Sequence, residues 1–278
     1  MSAIVPGVDV RLSARVRRIT APNPGMMTGP GTNAYIVGDN ELALIDPGPE
    51  IESHQAKLLD ALAGKLRWIL CTHTHLDHSP GAAALQRATG AQVIGMPAPS
   101  DGRQDSAFKP DRVLRHGERI ECGELTFRAV HTPGHASNHL CYLLEQDKWL
   151  FTGDHIMQGS TVVISPPDGD MIAYLKSLEM LLDEELQCLA PGHGHVIDTP
   201  HDEVRRLVKH RLARERKVLD AFSRLNPAGL DELVAAVYDD VSPKLHEVAR
   251  RSLHAHLLKL AREERVAESQ GRWQLLAR

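Results

Sequence analysis

Residues 70–81 read Leu-Cys-Thr-His-Thr-His-Leu-Asp-His-Ser-Pro-Gly, and His73, His75, Asp77 and His78 follow directly on the apolar run Trp68-Ile69-Leu70-Cys71. A strand that ends on three imidazoles and a carboxylate needs compensation there, because buried ionisable groups are costly unless paired or bound to a metal. Alternate side chains of a strand share a face, so His73 and His75 can hold one cation. A helix is expected at once over 80–89, with Ser79 as cap, Pro80 in the first turn and Gly90 as stop. Asp77 and His78 then fall in the turn and can face a neighbouring position. This spacing predicts two adjacent metal sites, and imidazole with carboxylate suits zinc, manganese or iron.

The 278 residues fit one large domain, or one domain with a small appendage. Short apolar runs between turn residues predict strands at 14–19, 34–38, 42–46, 67–71, 91–95, 125–131, 139–144, 148–152 and 187–190. Helices are expected at 51–63, 80–89 and 169–183. Strands and helices mix throughout, so the fold class is α/β or α+β with a layered sheet core. The glycine- and proline-rich stretch 23–33 reads as a loop and lacks a phosphate-loop pattern. Cys71, Cys122, Cys141 and Cys188 form no C-x-x-C pair and read as buried thiols. No run reaches the roughly 18 apolar residues of a transmembrane helix, and the first residues lack the apolar core of a signal peptide. A cytoplasmic address without a membrane partner is expected.

Charge divides the chain. Residues 1–200 carry 16 Lys+Arg against 24 Asp+Glu, and residues 201–278 carry 16 against 12. Residues 201–224 form a basic helical stretch with Arg205, Arg206, Lys209, Arg211, Arg214, Arg216 and Lys217. After Asn226-Pro227, helices are expected at 229–238 and 243–264, then a hairpin around Gln270-Gly271. Helix, helix and hairpin resemble the C-terminal part of a winged helix. The expected organisation is a catalytic domain at 1–200, a basic linking helix at 201–225 and a winged-helix-like domain at 226–278.

Three further stretches end strand-like runs on glycine followed by Asp or His: His-Thr-Pro-Gly-His at 131–135, Phe-Thr-Gly-Asp-His at 151–155 and Ala-Pro-Gly-His-Gly-His at 190–195. Together with H-x-H-x-D-H, in this order, they resemble the metallo-β-lactamase superfamily over about residues 15–200. The resemblance implies a four-layer αββα sandwich with metals at one edge of the two sheets. It implies that His73, His75 and His135 hold a first divalent ion, Asp77, His78 and His193 a second, and that Asp154 bridges them. Zinc is the first expectation, with manganese or iron as alternatives. A bridging hydroxide would attack a carbonyl or phosphoryl centre, and Asp77 and Asp154 are the expected catalytic carboxylates, Asp77 adding a proton-relay role. Asp46 in Leu-Ile-Asp-Pro-Gly-Pro, His139 and His195 are expected to orient ligands through hydrogen bonds.

The stretch 23–38, the basic helix and the tail together resemble a branch that contains a mitochondrial endoribonuclease. From that likeness the first substrate expectation is a single-stranded RNA phosphodiester, contacted by Arg211 and Arg214. Thioester, ester or lactone hydrolysis of a small molecule, as in glyoxalase II, is the alternative, since one metal cage serves acyl and phosphoryl chemistry. The stretch Ala-Pro-Gly-His-Gly-His-Val-Ile at 190–197 stands where glyoxalase II has a Cys-Gly-His-Glu-Tyr-Thr-like segment, which speaks against glutathione-thioester recognition. From another class, the same fold carries mononuclear iron persulfide dioxygenases. The winged-helix-like tail offers either a nucleic-acid contact or a homodimer surface.

Overall fold

Period-two apolar runs become two sheets in the computed structural model, which describes residues 3–100 and 102–277. The first sheet has the order β1-β2-β3-β4-β5-β6, made of Asp9–Arg11, Val16–Thr20, Asn33–Gly38, Leu42–Ile45, Leu66–Leu70 and Gln92–Ile94. β1 to β4 pair antiparallel, whereas β4, β5 and β6 are parallel. Parallel neighbours need a crossover. Helices α1 (Glu52–Leu62) and α2 (Gly81–Thr89) supply the two required. The second sheet joins β7 (Arg119–Cys122), β8 (Leu125–His131), β9 (Leu140–Leu144), β10 (Trp149–Gly153) and β11 (Cys188–Pro191) in the order β11-β10-β9-β8-β7.

Alternation sorts the first sheet's side chains onto two buried faces. Tyr35, Val37, Ala43, Ile45, Trp68 and Leu70 share one core with Phe127, Tyr142 and Phe151 of the second sheet. Tyr35 and Phe151 rings lie 5.3 Å apart. Ile36, Leu44 and Ile69 point the other way, onto Leu58, Leu62 and Leu85 of α1 and α2. Both faces are therefore covered, which is why β3, β4 and β5 read as near-continuous apolar runs.

The chain divides into two compact units: 1–132 with 138–162 and 184–200, and 133–137 with 163–183 and 201–278. Both sheets, α1 and α2 belong to the first. The second holds α3 (Met171–Met180), α4 (Pro200–Ala221), α5 (Leu230–Val237) and α6 (His246–Arg262). It also holds a small sheet of β12 (Ala228–Gly229), β13 (Val266–Ser269) and β14 (Arg272–Leu275), ordered β12-β14-β13. The expected hairpin turns at Gln270 and Gly271, both at positive φ. Val218 and Phe222 of α4 share a core with Leu233, Leu253 and Trp273. The C-terminal end of the basic helix thus packs into the tail's own core.

Two expectations need correction. Ser79 does not cap α2: its Oγ donates to Asp105 Oδ2 at 2.9 Å, and Pro80 takes the cap position. Gly90, at φ 75°, ends the helix as expected. Arg211 and Arg214 are not offered to a substrate either, being only 3% and 8% exposed. Arg214 donates to Val237 O at 2.6 Å and to Asp240 Oδ1 at 2.7 Å, with its guanidinium 4.3 Å from the Tyr238 ring centre. Arg211 lies over Tyr174 at 5.2 Å. Both sit on the apolar stripe of α4, where a long guanidinium stem packs well and the charged head finds partners inside the unit. Among the described residues, no helix is long and apolar enough to cross a membrane.

Candidate metal centre

The parallel strands β4 and β5 end side by side, as do β10 and β11, and the polar motifs begin where they stop. Asp46 follows β4 in a left-handed conformation, φ 52°. The bend turns its buried carboxylate back on the next strand end. Oδ1 accepts from Thr72 N at 2.8 Å and Oδ2 from Thr72 Oγ1 at 2.8 Å. The same Oδ2 lies 2.8 Å from His78 Nδ1. Gly153 ends β10 at φ 45°, and a Cβ there would stand 2.4 Å from Thr72 Oγ1. Only glycine lets the chain pass Thr72 before turning out Asp154. At Gly192 a Cβ would come 2.7 Å from His78 Cε1 and 2.8 Å from Asp154 Oδ1. Gly192 is backbone pressed against two candidate ligand side chains, and Gly153 against Thr72, which orients Asp46 and His73.

Asp77, His78 and His193 form one group whose ligand atoms lie within 4.8 Å of one another. His78 Nε2 is 3.5 Å from Asp77 Oδ2 and 3.4 Å from Asp154 Oδ1, while His193 Nε2 is 3.3 Å from each of the same oxygens. Charge-assisted hydrogen bonds are shorter, about 2.7–2.9 Å. Two ligands held about 2.0–2.1 Å from a tetrahedral zinc stand roughly 3.3–3.4 Å apart. His78 Nε2 is buried without a hydrogen-bond partner, and its Nδ1 is already committed to Asp46. The spacing, the orphaned nitrogen and the donor set all fit a divalent cation.

His73 and His75 stand beside this group. His73 Nε2 and His75 Nδ1 are 2.9 Å apart, and each residue has a ring nitrogen within 4.8 Å of an Asp154 carboxylate oxygen. His73 Nδ1 faces Thr72 Oγ1 at 3.0 Å, which leaves its Nε2 for ligation. His135 stands at the Thr-Pro-Gly-His turn of the second unit, with Nδ1 2.8 Å from Val163 O. A backbone carbonyl there fixes the Nδ1–H tautomer, so Nε2 is the nitrogen that carries a lone pair. His139 is fully buried, stacks on His73 at 5.0 Å and has Nδ1 2.9 Å from Thr132 Oγ1. His195 is half-buried and belongs to neither group of candidate ligands among the described residues.

Electrostatics follow from this crowding. Burial pushes His73 well below the usual imidazole range, and His78 and His75 add to that. Burial also opposes charge on His193, but Asp154 and Asp77 outweigh it and raise the ring to about 10. His78 goes well up for the same reason, against burial, through Asp77, Asp154 and Asp46. Burial would raise the Asp77 and Asp154 carboxyls, yet His78 and His193 hold both well below the ordinary range. The carboxylates are ionised and demand positive charge beside them.

The polar residues that carry these groups lie outside the four motifs. Asn33 opens β3; its backbone N–H donates to Gly192 O at 2.8 Å, and its amide donates to Pro191 O and Gly194 O at 3.0 and 2.9 Å. Tyr35 OH donates to Pro191 O at 2.7 Å. These bonds fix the turn that bears His193. Thr32 Oγ1 donates to Asp77 Oδ2 at 3.1 Å and accepts from Asn23 Nδ2 at 3.0 Å. Polar side chains at the buried start of an apolar strand were the available signal.

Comparison with known proteins agrees with the geometry. Residues 27–193 match the Metallo-beta-lactamase superfamily, more than half of the chain, and residues 230–273 match the Beta-lactamase associated winged helix domain. A Drosophila melanogaster protein named Beta-lactamase-like protein 2 homolog is 31% identical, covering 97% of this chain and 95% of its own. An Atrochrysone carboxyl ACP thioesterase of Aspergillus chevalieri is 36% identical, covering 98% and 91%. The crystal structure of a Beta-lactamase domain protein from Burkholderia ambifaria superposes with a TM-score of 0.83 at 18% identity, covering 99% and 96%. The mixed α/β architecture with two sheets and a C-terminal winged helix is that family's fold, and the chain belongs to the metallo-β-lactamase superfamily.

Proposed function

We propose that the protein is a dinuclear metal-dependent hydrolase of thioesters, acting on an acyl group carried on a pantetheine-type thiol. The reading is carried by 36% identity, along 98% of this chain, to a relative named Atrochrysone carboxyl ACP thioesterase. A second relative, named Thioesterase pkgB, is 32% identical over 77% of the chain. By their motifs, His73, His75, His135 and Asp154 would hold one ion, and Asp77, His78 and His193 with Asp154 the other. Zinc suits these donors best. Bound ions of this kind polarise a carbonyl oxygen and lower the pKa of water to near neutrality.

The chain's own groups do the remainder. Asp46 holds His78 Nδ1, so that Nε2 faces Asp77 and Asp154. Asp77 is the most exposed of the three carboxylates, its side chain 27% accessible against 12% for Asp154 and 2% for Asp46. We assign to it the exchange of a proton with the attacking water and the leaving thiol. Water adds to the carbonyl carbon, the carbon–sulfur bond breaks, and acid and thiol leave. The RNA reading loses the two contacts it named, because Arg211 and Arg214 are buried. A mononuclear dioxygenase needs no second group of donors, and Asp77, His78 and His193 form one.

The test is a substrate panel on zinc-loaded protein: acyl-coenzyme A and acyl-pantetheine thioesters, matched oxygen esters, and single-stranded RNA. Thioesters are expected to exceed the matched esters by at least about tenfold in kcat/KM, a selectivity within reach of pocket contacts. Cleavage of RNA with inert thioesters would overturn the proposal.

A further inference from the structure

We propose that Thr32 is a positioning residue for Asp77, its hydroxyl proton aimed at the carboxylate by Asn23. The inference rests on the reading above, in which Asp77 is a ligand of the second ion. Thr32 is fully buried just ahead of β3. Its backbone N–H donates to Asn23 Oδ1 at 2.9 Å. An N–H can only donate, so the side-chain atom facing it is the amide oxygen, and the orientation of the Asn23 amide is settled. Asn23 Nδ2 then faces Thr32 Oγ1 at 3.0 Å and donates to it. A hydroxyl has a single proton. With Oγ1 accepting from Asn23, that proton is left for Asp77 Oδ2, 3.1 Å away. Every donor in the series is assigned by chemistry, and the series runs one way, from Asn23 to Thr32 to Asp77.

The oxygen that receives this proton is the one that matters. Asp77 Oδ2 lies 3.5 Å from His78 Nε2 and 3.3 Å from His193 Nε2. One lone pair taken by Thr32 leaves the other directed at the space those nitrogens share. Thr32 is also held relative to His193: the two residues pair in an isolated antiparallel bridge, and His193 Nδ1 is 3.2 Å from Gly31 O. The same short segment therefore orients two donors of one group. Partners of this kind, outside the ligands themselves, commonly change metal affinity by about 10–100-fold when removed.

Three variants separate orientation from packing, read by zinc stoichiometry and affinity in competition with a chromogenic chelator. Thr32→Val keeps the shape and removes the hydroxyl. Thr32→Ser restores the hydroxyl. Asn23→Asp keeps the shape but replaces the donating amide nitrogen with an accepting oxygen, which draws the Thr32 proton away from Asp77. The wild-type protein is expected to bind two ions. Thr32→Val and Asn23→Asp should bind the first unchanged and the second about 10–100-fold more weakly, with Thr32→Ser within about threefold of wild type. The Asn23→Asp result has a useful sign: added negative charge by itself would tighten a cation, so weakening comes from the redirected proton. Unchanged second-ion affinity in Thr32→Val and Asn23→Asp, or a Thr32→Ser as weak as Thr32→Val, would overturn the inference. A wild-type protein saturating at one ion would instead overturn the two-ion reading beneath it.

Discussion

Asp77, His78 and His193 in the first unit and Glu215, His256 and Lys259 in the second are buried clusters built from similar side chains, yet they balance charge in opposite ways. Glu215 faces an ammonium: Lys259 Nζ lies 2.8 Å from its Oε2, and His256 Nδ1 stands 3.8 Å from the same oxygen. Burial lowers His256, since Lys259 answers the carboxylate first. In the other cluster the carboxylates face imidazoles at 3.3–3.5 Å, and His193 is raised to about 10. A cluster with its own lysine is electrostatically complete. One whose positive charge must come from protons on ligand-forming rings is complete only when a cation displaces them.

The largest expected effect tests that difference directly. His193→Ala should lose the second zinc and reduce thioester hydrolysis by about 10³-fold or more, beyond the 10–100-fold typical of residues outside the ligand set. Elemental analysis with steady-state kinetics reads both. Retention of two zincs would show that Asp77, His78 and His193 are not a ligand group. Lys259→Met should behave in the reverse way, with zinc content unchanged and stability reduced by about 3 kcal/mol, because it strands a buried carboxylate. Glu215→Leu with Lys259→Met should recover most of that loss in urea unfolding. No recovery would mean that Lys259 acts by packing.

His54 sharpens the comparison as a third kind of buried imidazole. It is 1% exposed on α1, beside Gly48, and burial pushes its pKa down to about 4. The unfolded chain titrates near 6.5, so between 6.5 and 4 it binds more protons than the folded chain. Stability should therefore fall as pH drops through that window, by about 2–3 kcal/mol for this one group. The difference between wild type and His54→Gln in urea midpoints at pH 7 and pH 4 isolates it from other titrating groups. Equal pH dependence in both proteins would place the acid sensitivity elsewhere.

What could be read in advance follows the range of the interactions. The ligand candidates lie in four short motifs at strand ends, and each motif is local. Strands buried on both faces, such as β4 and β5, also announce themselves as continuous apolar runs. β7 did not, because Arg119–Cys122 has only Ile120 and Cys122 facing inward and is defined by its pairing with β8. The link from Asn23 to Asp77 spans loops far apart in sequence, and no motif connects them. Arg211 and Arg214 run against the expectation that basic residues face solvent, because their positions along α4 share a face with Val204, Leu207 and Val218.

The smallest expected effect concerns the face of α4 that does meet solvent. Arg205 pairs with Asp202, Arg206 with Glu203, and Lys217 with Asp239 and Asp240. Exposed pairs of this kind contribute at most about 1 kcal/mol each, and they also neutralise much of the charge a nucleic acid would need. Lys209 and Arg216 remain as exposed cations. Reversing both, Lys209→Glu with Arg216→Glu, should change stability by no more than about 0.5 kcal/mol and leave thioester kcat/KM unaltered. Binding of a fluorescent RNA oligonucleotide, weak in wild type, should hardly respond, and its salt dependence should be shallow, because few phosphates are neutralised. A steep salt slope in wild type that flattens in the double variant would assign these two cations to a polyanion surface. The basic helix would then serve a charged partner, in contrast to the buried pair of Glu215 and Lys259 that serves only the unit's interior.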